Sequence, residues 1–145
     1  MWLFRNKEVH RIADIPKGVV GFIYMIVNKE SGEWYVGKKS LYSYRSMPPL
    51  KGYTRKRKVV KESDWLNYSS SNKLVKEWIS PYREILEYCT TKKQLTYREM
   101  QAIVCMNGLE DPKCLNENVL GKFFPKDLEK LRIFIFYDYK TIYRQ

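Results

Sequence analysis

Two short apolar runs, Phe22-Ile-Tyr-Met-Ile-Val27 and Trp34-Tyr-Val36, flank the polar stretch Asn28-Lys-Glu-Ser-Gly32. β-branched and aromatic residues on either side of turn chemistry predict a hairpin of two strands. Side chains alternate along a strand, so Ile23, Met25 and Val27 share one face, joined by Trp34 and Val36. Tyr24 and Tyr35 are then expected on the other face, near each other across the ladder and beside Gly37. Lys38 and Lys39 would make that face open and basic. Further along, Leu41 to Arg45 suits a single helical turn that Pro48-Pro49 prevents from continuing. Lys73 to Ile79 predicts a helix capped by Ser70 or Ser71, with an apolar stripe of Leu74, Val75, Trp78 and Ile79. Pro81 ends it, and Tyr82 to Tyr88 reads as a third strand centred on Ile85 and Leu86. The strongest helical pattern starts at Thr90-Thr91 and closes at Asn107-Gly108, with Leu95, Ala102, Ile103 and Met106 on one face. Residues 1–18 predict an extra strand or loop packed on the core. The tail from Lys126 begins as a short amphipathic helix and ends in an apolar, aromatic run expected to pack on the core, with a homodimer contact as the lesser option.

These elements define an α/β chain of the α+β kind, with a small central three-stranded antiparallel sheet flanked by helices. A length of 145 residues suits one domain over residues 1–145: a core at about 20–120, a lead-in over 1–18 and an extension over 121–145. The formal charge of +11 and pI near 9.5 point to a polyanionic partner, nucleic acid ahead of an acidic membrane surface. No apolar run approaches the roughly 20 residues of a membrane span, and the N-terminus lacks a secretory pattern, so a cytoplasmic location is expected. Cys89, Cys105 and Cys114 have no Cys-x-x-Cys spacing and read as buried thiols of a reducing compartment. The single histidine, His10, is given no role.

Two features carry chemistry. Glu99 falls in line with the apolar stripe of its helix, four residues after Leu95 and four before Ile103. A carboxylate aimed at a core needs a cation to meet it. That cation is either Arg45 or a lysine at the rim of the stripe, or a metal ion. The run from Lys51 to Lys61 contains Arg55, Lys56, Arg57 and Lys58 and no acidic residue. It reads as a solvated loop held open by its own repulsion, or as an arm that tracks phosphates and adds little sequence reading, the choice that the family resemblance below favours. Lys39 extends that basic surface. Tyr68, Ser69 and Ser70 at a helix start could donate to a phosphate, although capping also explains the serines.

The hairpin resembles the signature of the GIY-YIG nucleases. Phe22-Ile23-Tyr24 stands for the first tripeptide, with Gly21 one residue early, and Tyr35-Val36-Gly37 for the second. Arg45, ten positions after Tyr35, stands where that family has a catalytic arginine, with Arg83 as the fallback. Lys38 follows Gly37 as in the excision-repair branch. The resemblance implies that Glu99 is the single metal ligand and that Asn116, with Asn118 competing, ties a loop to the site. Tyr42, Tyr44 and Tyr68 are open candidates for the residue that assists the base. It further implies a one-metal endonuclease of double-stranded DNA using Mg²⁺, for which Mn²⁺ can substitute. In it Tyr24 orients water and takes its proton, Tyr35 supports the site, and Arg45 pairs with the phosphate. A phenol titrates near 10 unless cations lower it, and Lys38, Lys39 and Arg45 are the expected sources. Small size, positive charge and the lack of a reader domain fit a free-standing phage or mobile-element nuclease, including a homing enzyme. The competing class is a basic nucleic-acid-binding module that does not cut, against which the carboxylate on the core stripe argues. A protein-binding inhibitor or structural phage protein would explain the aromatic tail but not the charge.

Overall fold

The computed structural model describes residues 1–128. At the N-terminus β1 (Trp2–Phe4) and β2 (Lys7–Val9) form a hairpin. Its turn residues Arg5 and Asn6 have φ of 48° and 64°, which lets a two-residue turn match the twist of the strands. The lead-in is therefore two strands. The apolar residues explain it: Trp2 and Val9 are buried, and the Trp2 indole donates to the Trp65 carbonyl at 2.9 Å.

The predicted hairpin forms β3 (Gly21–Val27) and β4 (Trp34–Ser40), antiparallel, with Tyr24 opposite Gly37 and Ile26 opposite Tyr35. Next come β5 (Tyr42–Met47) and β6 (Arg57–Glu62), which pair with each other as a separate two-stranded ribbon. The helical turn expected at Leu41 to Arg45 is thus a strand, because Arg57 to Glu62 supplies it with an antiparallel partner. After α1 (Lys73–Lys76) the chain enters β7 (Tyr82–Cys89) and α2 (Lys92–Cys105), the latter capped by Thr91, whose hydroxyl accepts from the Gln94 N–H at 3.0 Å.

Among the described residues the main sheet has the order β2-β1-β7-β3-β4, with β1 parallel to β7 and the other pairs antiparallel. The expected three-stranded sheet is present as β7-β3-β4, and the N-terminal hairpin extends it into a mixed sheet of five. Helices do not flank it symmetrically. On one face α2 packs Leu95 and Ile103 against Ile23, Val36 and Cys89. The other face is covered by Trp2, Trp65 and Val75, which meet Phe22, Tyr24 and Ile26.

The helix expected over Lys73 to Ile79 is a single turn. Its cap is Asn72, whose Oδ1 accepts from the Leu74 and Val75 N–H groups, so neither Ser70 nor Ser71 caps it. Val75 and the half-buried Trp78 reach the core, while Leu74 and Ile79 face solvent. Ser80, with φ of 47°, turns the chain before Pro81. The three cysteines are free; Cys89 is buried but Cys105 is exposed, contrary to the expectation of buried thiols. Pro125–Leu128 form a 3-10 turn where the amphipathic helix is expected to begin at Lys126, and the rest of that helix and the aromatic run, with the core packing or dimer contact expected of them, fall outside the described residues.

Candidate active site

β4 is the edge strand of the sheet, and a segment after α2 closes that edge. The Asn116 side chain stands in for a neighbouring strand: Oδ1 accepts from the Val36 N–H at 2.9 Å and Nδ2 donates to the Val36 carbonyl at 2.8 Å. The Leu115 N–H donates to the Trp34 carbonyl, and Asn72 Nδ2 donates to the Leu115 carbonyl at 3.2 Å. One residue thereby caps α1 and joins it to the Asn116 loop. Between α2, the start of α1 and this loop lies a cleft of ≈ 650 Å³ whose lining includes Tyr35, Lys38, Ser71, Lys73, Glu99 and the buried Asn116.

Glu99 keeps 23% of its side chain exposed, and its Oε2 lies 2.8 Å from Lys38 Nζ. Lys38 also donates to Thr96 Oγ1 at 3.2 Å. Tyr35 Oη is 3.1 Å from Ser71 Oγ. Tyr24 lies behind Tyr35, with ring centroids 6.4 Å apart, packed against Trp2 and Tyr68. Its hydroxyl lies on the side of Tyr68 and Ser70. A Cβ on Gly37 would stand 2.4 Å from the Tyr24 hydroxyl, so glycine leaves the space that the phenol fills.

The family model described as "Putative endonuclease segE, GIY-YIG domain" matches residues 2–120. The chain belongs to the GIY-YIG nuclease family. No curated protein and no solved structure matches it. The match runs from β1 to the segment just past Asn116, so it takes in the N-terminal hairpin as well as the signature strands.

With the family in hand, the places of its signature residues differ from several expectations. Tyr24 is 1% exposed and does not sit on an open face. Burial, with Tyr68 and Tyr35 beside it, pushes its phenol far above the ordinary value. Burial also raises Tyr35, against a lowering hydrogen bond from Ser71, and the Glu99 charge adds to the rise. The expected lowering by lysines and Arg45 is absent at both phenols. Lys38 is bound to Glu99, and Lys39 pairs with Asp64 while its ammonium stands 3.8 Å from the Tyr68 ring centroid. Lys39 thus has partners within the protein, the exposed Asp64 among them.

Arg45 is solvent-exposed on β5 and lines a different depression, with Lys39, Lys61 and Asp64. It is not among the side chains of the Glu99 cleft. Arg83 is half-buried, stacked 4.2 Å from the Trp2 ring centroid and donating to the Tyr68 carbonyl. Ser70 is buried, and its hydroxyl accepts from the Asn72 N–H at 2.9 Å, so it supports the tyrosines and cannot meet DNA. Of the three candidate assisting tyrosines, Tyr68 adjoins Tyr24, Tyr44 lies under the Lys92 ammonium, and Tyr42 sits at the ribbon base. Lys51, Arg55, Lys56, Arg57, Lys58 and Lys61 are all exposed, on β6 or the loop before it. Asn118 Oδ1 accepts from the Gly121 N–H at 2.8 Å as a turn residue. Sequence reasoning missed Lys73 and the structural part of Asn72; both follow Ser69-Ser70-Ser71, a run read for its hydroxyls alone.

Among the described residues no three His, Cys, Asp or Glu side chains gather as metal ligands. Glu99 alone suits an ion that retains most of its waters and takes one or two protein carboxylates, as Mg²⁺ does, and does not suit a structural zinc. The partly exposed carboxylate and the open cleft leave room for those waters.

Proposed function

We propose that this protein is a Mg²⁺-dependent endonuclease that hydrolyses phosphodiester bonds of double-stranded DNA with one metal ion. The observation that carries the reading is the meeting of Tyr35, Lys38 and Glu99 in one open cleft of a GIY-YIG domain. Glu99 would hold the ion, Mg²⁺ or Mn²⁺, which when bound polarises the scissile phosphate and steadies the departing 3′ oxygen. Tyr35, the phenol that faces the cleft, orients the attacking water through its hydroxyl. Without a metal, burial leaves both phenols neutral near pH 7, so Tyr35 meets the water as a hydrogen-bonding group, and the proton that the water loses as the P–O bond forms and the 3′ oxygen leaves passes to solvent through the open cleft. Tyr24, Ser70 and Asn116 are positioning residues: they fix Tyr35, Ser71 and the β4 edge. Lys38 and Lys73 bring positive charge to the phosphate oxygens in place of Arg45. Lys51, Arg55, Lys56, Arg57, Lys58 and Lys61 grip the duplex, with Arg45 among them on the ribbon. A free-standing nuclease of a phage or mobile element, including a homing enzyme, acting in the host cytoplasm, is the setting we propose.

The second reading is a binding module that keeps the fold without cutting. The Lys38–Glu99 ion pair favours it, since that pair satisfies the carboxylate with no metal. Supercoiled plasmid separates the two. The wild type nicks or linearises it with Mg²⁺ and not with EDTA, while Glu99→Gln binds with similar affinity and is slowed by at least about 10²-fold. Salt-sensitive binding by both proteins with no cutting of plasmid or of phage genomic DNA would leave the module.

A further inference from the structure

The β5–β6 ribbon belongs neither to the sheet nor to the cleft. Its strands run in register from Tyr42 opposite Glu62 to Met47 opposite Arg57, and among the described residues they pair with no other strand. Seven cations and one acid lie between Tyr42 and Glu62, so this segment holds more than half of the net charge of +11. We propose that the ribbon enters the major groove of duplex DNA and reads base edges there, apart from the bond being cut. The proposal rests on the nuclease reading for its ligand.

The two faces of the ribbon differ. Cross-strand partners share a face, so the register places Tyr44 with Val60, and Lys92 at the start of α2 stands 4.7 Å from the Tyr44 ring centroid. Lys92 covers part of that face, whose Tyr44 and Val60 stay about half exposed. The opposite face carries Arg45, Arg57 and Lys61 around Met47 and Val59, and all five are exposed. An arm that only tracked phosphates would need the cations and gain nothing from the apolar pair at their centre. Base edges use both: arginine bonds guanine O6 and N7, and apolar groups meet the thymine methyl. Six residues of strand span about 20 Å, enough to cross a major groove about 12 Å wide, which admits a two-stranded ribbon. A second copy of this chain is the poorer occupant, because two such faces repel.

The test is selection from a pool of random duplexes by the full chain carrying Glu99→Gln, so that binding is read without cutting. The proposal expects a base preference in the selected pool and loss of binding when guanine N7 is methylated. Arg45→Ala and Arg57→Ala should each lower discrimination at one guanine by about 5- to 150-fold. Val59→Ser should relax a preference for thymine without changing the salt dependence. Three results overturn the proposal: a pool with no preference, arm variants that weaken all sequences alike, or a dimer that dissociates when the arm is substituted. Plasmid cleavage keeps the failures apart. A chain that cuts without an arm-dependent preference loses this inference alone, and one that selects a sequence without cutting loses the hydrolytic reading alone.

Discussion

The site turns on a missing side chain. Tyr24 reaches across β4 above Gly37, and its hydroxyl occupies the place where any other residue would put Cβ. The ring cannot swing aside cheaply, because Trp2, Phe22 and Tyr68 surround it. Gly37→Ala should therefore cost about 1–3 kcal/mol of stability through overpacking and displace the hydroxyl from Ser70 and Tyr68. Displacement of a positioning group by about 1 Å lowers a rate on the order of 10²-fold. Tyr24→Phe keeps the ring and removes only the hydroxyl, so it should remain folded, losing about 1–2 kcal/mol for the unpaired partners. Single-turnover cleavage should show a lower rate at saturation with little change in half-saturating DNA for both variants. A tyrosine variant with unchanged rate would remove Tyr24 from the site and leave it a core residue.

At the scale of elements, Asn116 does for β4 what a sixth strand would do for one residue. Asn116→Ala strands the Val36 N–H and carbonyl in a buried place, which costs about 2–5 kcal/mol; the urea midpoint reads it directly. Asn116→Asp should recover little, since a carboxylate accepts from the N–H but faces the Val36 carbonyl lone pairs. The elements that sequence patterning found are those with a buried face. β3, β4, β7 and α2 alternate or repeat with the period of their geometry, so Tyr35 and Glu99 could be placed from spacing, whereas Asn116 came only from the family resemblance and Lys38, expected beside the tyrosines, lies opposite Ile23 on the face that α2 covers. β5 and β6 have no buried face beyond the ribbon base, so periodicity had nothing to register and the proline pair suggested a broken helix. α1 shows the converse: an apolar stripe of helical spacing over Lys73 to Ile79 stops after one turn. Ser71 faces the cleft while Ser70, expected to meet a phosphate, is buried, because irregular backbone decides which hydroxyl turns outward and no residue pattern encodes that.

The whole molecule holds several protons more tightly than its unfolded chain does. Burial raises the Cys89 thiol from 9.0 to about 11, raises the Cys114 thiol above 9.0 as well, and raises Tyr24 and Tyr35 above 10.0. Below about pH 9 both states keep these protons and stability is full. Above it the unfolded chain releases the Cys89 and Cys114 protons first, then those of the tyrosines, while the folded chain retains them, so stability falls as pH rises. The carboxylates act with the opposite sign. A hydrogen bond from Lys39 lowers Asp64, and the Lys113 N–H and Trp34 indole lower Asp111; their contribution is present above about pH 4 and lost as pH falls below it. Urea midpoints from pH 3 to 11 should trace a plateau between these limits. Replacing both Cys89 and Cys114 by Ala should move the alkaline edge from about pH 9 toward 10 without touching the acid edge, and an edge that stays at 9 would assign the decline to groups other than these thiols.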